Sequence, residues 1–306
     1  MVGYGLAAGI LILLIGLFVY GYLANFEMNE KCRSEYKMVL PEAACKEPVQ
    51  LVFLTDLHGW IYGKENEKLL KQVEEGHPDL ICIGGDMTVK EGEGCKSALS
   101  LCSRLRELAP VYYAVGNHEI RMPGYEQYMQ DLEKIGVTVL RNQSALWQKN
   151  STKFRIYGLD LPPECYHRGR KKEVPTPGQI EKLLGNPVKK EGETAVLLAH
   201  NPTYFPVYHS WNPDLVLSGH LHGGIMILPF FGGVIGPDFR LFPKYYEGVF
   251  KEDETYMLVS RGLGTHHLPF RFFNRPEVTV LRIRPGKKKS LERKCNDGNP
   301  CEIRGL

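Results

Sequence analysis

Two hydrophobic rhythms divide the chain. Residues 6–22 are almost wholly apolar, and no charged side chain occurs before Glu27. From residue 49 the pattern changes to short runs of β-formers at 49–55, 80–83, 111–115, 195–198 and 215–217, which read as buried strands. Further strands are expected at 137–140, 154–157, 255–260 and 278–283. Apolar residues at three- and four-residue spacing predict helices over 66–75, 95–108, 125–135 and 179–184. The stretch 161–177, rich in Pro, Gly, Lys and Arg, reads as a surface loop. Strands interleaved with helices, then more strands, predict an α/β fold of two packed mixed β-sheets flanked by helices.

The N-terminal run is long enough to cross a bilayer as one helix. A cleaved signal peptide would carry a basic start and an apolar core of about 7–15 residues; here no Lys or Arg precedes the run, which is longer. The expected organisation is therefore a transmembrane anchor at 1–26, a polar linker at 27–48, one domain at 49–284 and a polar, mobile tail at 285–306. Such a chain is a single-pass protein of the cell membrane. Lys31, Arg33 and Lys37 follow the anchor and favour a cytoplasmic domain by the positive-inside rule. The eight cysteines pull the other way if Cys32 pairs with Cys45 and Cys295 with Cys301, since disulfides imply an oxidising compartment; the alternative is a set of free thiols. The side of the domain stays undetermined.

Bulk composition narrows the partners. With 43% hydrophobic residues in 306, the chain can build a substantial core. A net charge of +3 with 24% charged residues is nearly balanced, so no nucleic-acid partner is expected. No pattern sets the oligomeric state.

The chemistry lies in five blocks, each just past one of the five buried runs: Asp56-Leu57-His58, Gly85-Asp86, Gly116-Asn117-His118-Glu119, Ala199-His200-Asn201 and Gly219-His220-Leu221-His222. Taken singly, each is a weak signal. Residues past the carboxyl ends of neighbouring strands can converge on one crevice, however, and together these supply His, Asp and Asn donors suited to two divalent ions. Two such ions about 3.5–4 Å apart lower the pKa of a shared water, giving a hydroxide that can attack phosphorus in line.

The ordered set resembles the calcineurin-like metallophosphoesterase superfamily over roughly 49–284. The resemblance implies a four-layer α/β/β/α fold and a metal-dependent phosphoester hydrolase. It also implies one metal held by Asp56, His58, Asp86 and His222, and a second held by Asp86, Asn117, His200 and His220, with Asp86 bridging. His118 would stabilise or protonate the leaving oxygen, and Glu119 would hold the His118 ring in place. The donor types suit manganese, iron or zinc, without choosing among them.

A narrower likeness runs through His220-Leu221-His222-Gly223-Gly224, Leu228-Pro229-Phe230, Tyr246-Glu247-Gly248, Ser260-Arg261-Gly262-Leu263-Gly264 and the stretch 268–277. It is similar to a membrane-associated branch of bacterial phosphoesterases, which includes phosphodiesterases and enzymes that hydrolyse UDP-diacylglucosamine. That implies hydrolysis of a phosphodiester or pyrophosphate bond, with a lipid-linked compound such as UDP-diacylglucosamine as the expected substrate. Ile225 departs from this branch, where Gln is expected. The apolar stretch 225–235 reads either as a lipid-facing loop or as a core hairpin. Arg261 leads the candidates for a phosphate or head group, ahead of Arg271 and Arg275. His266 and His267 are pocket or surface residues. A non-catalytic metal-binding envelope protein and a nuclease of the same superfamily are the competing functions.

Overall fold

The computed structural model describes residues 2–24, 28–89, 92–167, 172–186, 192–228, 231–237, 239–265, 271–294 and 300–301. Its helices are α1 (Val2–Ala24), α2 (Glu67–Glu74), α3 (Cys95–Leu108), α4 (Asn117–Arg121), α5 (Tyr125–Lys134), α6 (Pro177–Leu184) and α7 (Phe205–Ser210). The first strands are β1 (Arg33–Pro41), β2 (Val49–Leu54), β3 (Leu80–Ile83), β4 (Val111–Ala114), β5 (Thr138–Leu140), β6 (Gln143–Lys149), β7 (Thr152–Leu159), β8 (Glu193–Ala199) and β9 (Leu215–Ser218). They are followed by β10 (Ile227–Leu228), β11 (Gly232–Gly233), β12 (Gly248–Glu252), β13 (Thr255–Val259), β14 (Val278–Gly286), β15 (Ser290–Lys294) and β16 (Pro300–Cys301).

Eight strands form one sheet in the order β16-β15-β1-β14-β2-β3-β4-β5, and six form a second in the order β12-β13-β9-β8-β7-β6. Both are mixed. The two-residue period of a strand explains how the layers are held. In β2, Val52 and Leu54 face a core that includes Leu69 and Val73 of α2 and Leu101 and Leu105 of α3. The alternate residues Leu51 and Phe53 face the second sheet and pack with Leu198, Leu217 and Leu258. On that sheet's far side, Leu197 and Val216 meet Ile180 of α6 and Phe205 and Trp211 of α7. Helix, sheet, sheet and helix are thus stacked as expected. Each fully buried aliphatic side chain contributes about 1.5–3 kcal/mol to holding them.

Three expectations are corrected. The segment 27–48 is more than a linker, because β1 lies inside the first sheet, parallel to β14 and antiparallel to β15. Its alternating burial, with Ser34, Tyr36, Met38 and Leu40 inward, was masked by the charged residues between them. The segment 285–306 likewise contains β15 and β16, paired into that sheet. Cys32 and Cys45 do not pair with each other; the first sits in the helix-side core and the second between the sheets. Cys295 lies outside the described residues, as do His266 and His267.

The N-terminal run does form a helix, α1, with 23 residues and no acidic or basic residue in its end turns. Its side chains are described at 5 and 7–20. Among the described residues, no helix is long and apolar enough to cross a membrane.

Candidate metal centre

The site forms where the carboxyl ends of β2, β3 and β4, neighbours in one sheet, meet those of β8 and β9, neighbours in the other. Asp56 and His58 follow β2, Asp86 follows β3, Asn117 opens α4 after β4, His200 follows β8, and His220 and His222 follow β9. Backbone bonds stitch these turns together: Asp56 N donates to Gly85 O at 2.9 Å, His58 N to Asp86 O at 3.0 Å, and Gly219 N to His200 O at 3.0 Å. His220 N donates to Asp56 Oδ2 at 2.9 Å. Glycine is required at two points of closest approach. A Cβ on Gly116 would collide with the Asp86 carboxylate, and one on Gly219 with that of Asp56.

Five of the candidate ligands lie in the left-handed region: Asp56 (φ 56°), His58 (50°), Asp86 (53°), His220 (68°) and His222 (51°). Non-glycine residues rarely adopt it, and strain of this kind clusters at functional sites.

The donors gather in overlapping groups: Asp56, His58 and His222; His58, Asp86 and His118; and Asp86, His200 and His220, with the ligand atoms of each group within 4.8 Å of one another. His58 Nε2 and His222 Nε2 are 3.0 Å apart, and His200 Nε2 and His220 Nδ1 are 3.2 Å apart. Two nitrogens bound to one tetrahedral cation stand about 3.3 Å apart. Asp56 Oδ1 is 3.6 Å from His222 Nε2, and Asp86 Oδ2 is 3.1 Å from His200 Nε2 and 4.0 Å from His58 Nε2. Asp86 therefore stands between the two histidine pairs. Asn117 Oδ1 is buried without a hydrogen-bond partner, a loss of about 1–3 kcal/mol that a cation would offset. The residues fit a pair of divalent ions.

Neighbouring groups set how the rings present themselves. His200 Nδ1 is 2.8 Å from Gly84 O, and His222 Nδ1 is 3.3 Å from Gly264 O. A carbonyl only accepts, so these nitrogens carry a proton and each ring turns its Nε2 toward the centre. Burial would lower the His200 pKa, but Asp86, Asp56 and the Gly84 carbonyl outweigh it and push it up to about 10. Burial would raise Asp86, yet the imidazoles of His200, His118 and His58 hold its carboxyl well below the usual range. Burial, opposed by His200 and reinforced by Asp86, brings Asp56 up to about 6. Two buried carboxylates this close require compensating positive charge.

His118 enters the same cluster, with Nε2 4.0 Å from Asp86 Oδ2 and its ring edge-on to His58 at 4.6 Å. Glu119 is fully buried. Its carboxylate accepts from the backbone N–H groups of Asp86 (2.8 Å), Met87 (2.7 Å) and Gly116 (2.9 Å) and from the Tyr113 hydroxyl (2.9 Å). It fastens the Asp86 turn to the Asn117 turn.

The arginines are also committed elsewhere. Arg261 Nε lies 3.4 Å from Glu247 and 3.6 Å from Glu277. Arg271, although fully buried, donates to the carbonyls of Gly264 (Nε, 3.1 Å), Arg261 (2.9 Å) and Gly262 (3.2 Å). Asn274 Nδ2 donates to His222 O at 2.5 Å and Ile225 O at 3.2 Å. Sequence reasoning missed Asn274 and Tyr113, because nothing local to either marks a partner that lies far along the chain. It also missed Tyr166, whose ring stands edge-on to His220 at 5.7 Å. Within 225–235, β10 pairs with β11, Ile227 and Leu228 are half-buried and Phe231 is exposed, so these described residues are not part of the core.

Residues 49–224 match the family model for calcineurin-like phosphoesterases. An uncharacterized metallophosphoesterase of Helicobacter pylori is 30% identical over 78% of this chain and 60% of its own length. The chain therefore spans about 60% of that relative. Phosphodiesterase YaeI of Escherichia coli is 29% identical over 77% of this chain and 82% of its own. A transmembrane protein with a metallophosphoesterase domain from Danio rerio is 29% identical over 80% and 55%. With the family's blocks converging on one buried donor cluster, the chain belongs to the calcineurin-like phosphoesterases.

Proposed function

We propose that this protein is a membrane-anchored phosphoesterase that hydrolyses phosphodiester or pyrophosphate bonds, with a lipid-linked compound as its substrate. The observation that carries the reading is the position of Asp86 between the His58–His222 and His200–His220 pairs. One cation would be held by Asp56, His58, Asp86 and His222, and the other by Asp86, Asn117, His200 and His220. Such ions, be they manganese, iron or zinc, supply neutralisation of the phosphoryl oxygens and an activated water.

The protein's own groups do the rest. His118, beside Asp86 and His58, hands a proton to the departing oxygen. Glu119 keeps the Asp86 and Asn117 turns in register. Arg261 lies behind the Gly223 turn, its guanidinium engaged with Glu247 and Glu277, and enters as a positioning residue rather than a direct phosphate contact.

The name of the Escherichia coli relative supports diester cleavage. For the anchor, the support is the sequence of α1 read through all 23 residues, about 35 Å of helix against a hydrocarbon core of about 30 Å. The printed name of the Danio rerio relative agrees. The test is hydrolysis of bis(p-nitrophenyl) phosphate by the full chain, stripped of metal and then reloaded with manganese. Activity should appear on reloading and vanish in Asp86→Asn and His220→Ala; activity that survives either substitution would refute the assignment.

A further inference from the structure

Five large apolar side chains on the turns that leave the metal centre are more than half exposed: Phe231, Phe239, Leu241, Phe242 and Phe273. Three of them, Phe239, Phe242 and Phe273, sit at φ of 62°, 50° and 50°, a region that bulky residues rarely adopt. Strain of that kind would be expected to secure a place in a core, but here it presents rings to the outside. The turns form one hydrogen-bonded platform: Val234 N donates to Met226 O, Phe242 N to Val234 O, and Ile227 N to Phe272 O, all within 2.8–2.9 Å. Asn274 roots the platform on the His222 carbonyl, so it is continuous with the metal ligands.

Two further observations indicate what covers it. Phe18 of α1 stacks on Phe272, centroids 5.6 Å apart. Phe18 precedes Ala24, the last residue of α1, by six positions, about 9 Å along the axis. A surface that touches an anchor there sits at the depth of about 5–10 Å typical of interfacial apolar faces. Among the described residues, Arg240 and Lys244 beside the rings are exposed and Arg275 is half-buried, and such cations favour an anionic lipid surface.

We propose that this platform inserts into the head-group boundary of the bilayer that α1 crosses. The metal centre then opens onto the membrane, and its substrate class is an amphiphilic phosphoester held in the bilayer rather than one free in water. The inference rests on the anchored-phosphoesterase reading above and goes further in assigning which face meets the lipid.

The full chain is reconstituted in vesicles of phosphatidylcholine and phosphatidylglycerol whose acyl chains carry bromine. Tryptophan fluorescence of Phe231→Trp, Phe242→Trp and Leu13→Trp is then compared with that of the unsubstituted protein. Quenching of all three added tryptophans is expected. Quenching of Leu13→Trp alone would overturn the platform while leaving the anchor intact, and a second copy covering the rings would give that same result. Absence of quenching in all three would remove the anchor as well.

In the same vesicles, Phe239→Ser with Phe242→Ser should lower hydrolysis of p-nitrophenyl hexadecyl phosphate by about tenfold or more. Hydrolysis of bis(p-nitrophenyl) phosphate should stay within about twofold, which also reports that the variant is folded. Equal effects on the two diesters, or no effect on either, would refute the proposal; loss of the soluble activity in the unsubstituted chain would instead refute the phosphoesterase reading.

Discussion

The Nδ1 nitrogen of His200 lies 2.8 Å from the carbonyl oxygen of Gly84, across the gap between the two sheets. That contact fixes the ring's tautomer and turns Nε2 toward Asp86, 3.1 Å away. A residue from one sheet thus completes a site whose bridging carboxylate belongs to the other. His200→Ala should reduce the bound metal from about two ions per chain to about one, with the Asp56 side still loaded. Elemental analysis after dialysis reads this directly; two retained ions would remove His200 from the ligand set.

Asn274 is expected to act on the metal without touching it. Its amide donates to the carbonyls of His222 and Ile225, which holds the ligand turn in its left-handed form. Asn274→Ala should weaken metal affinity by about 10–100-fold, the usual effect of losing a group that orients a ligand. Calorimetric titration with manganese checks it, with circular dichroism confirming that the fold persists.

Glu119 should be a stability residue. Glu119→Ala leaves the buried N–H groups of Asp86, Met87 and Gly116 without an acceptor, at about 1–3 kcal/mol each. Glu119→Gln should be milder, and Tyr113→Phe should cost about 1 kcal/mol for the lost bond to Glu119. Urea unfolding measures all three. A Tyr113→Phe variant that shifts the pH profile of turnover, rather than stability, would return Glu119 to an orienting role for His118.

Metal binding should release protons. In the metal-free protein the carboxylates push His200 up to about 10, so at neutral pH this ring is protonated and an incoming cation must displace the proton. Affinity should therefore rise with pH between about 6 and 9. Manganese titrations in buffers of different ionisation heat count the protons, and a pH-independent affinity would contradict the arrangement.

Acid stability should depend on Glu277. Burial alone would raise its carboxyl, but Arg261 and then Arg293 outweigh burial and hold it below its ordinary 4.5. A carboxyl lowered on folding contributes stability that is fully present above its unfolded pKa and is lost as pH falls through the folded value. Melting temperature should fall once pH drops below about 4.5. Glu277→Gln should melt lower at neutral pH and show a shallower decline in acid.

The sequence by itself determined the strands that carry the ligands, the order of the five blocks and the chemical class of the donors. Strand signals are local, and a block such as Gly219-His220-Leu221-His222 announces itself within four residues. Helices α2, α3, α5 and α6 were legible for the same reason, since their apolar spacing is internal to each element. Only the tertiary structure decided what depends on partners remote in the chain. β1 became a strand because β14, more than 200 residues later, lies beside it. Glu119 engages the amides of another loop, and Arg261 engages Glu247 and Glu277. The left-handed backbone of five ligands is likewise imposed by convergence from two sheets. Asp and His enter that region more readily than most side chains, but five of them in one site are held there by the packing around them.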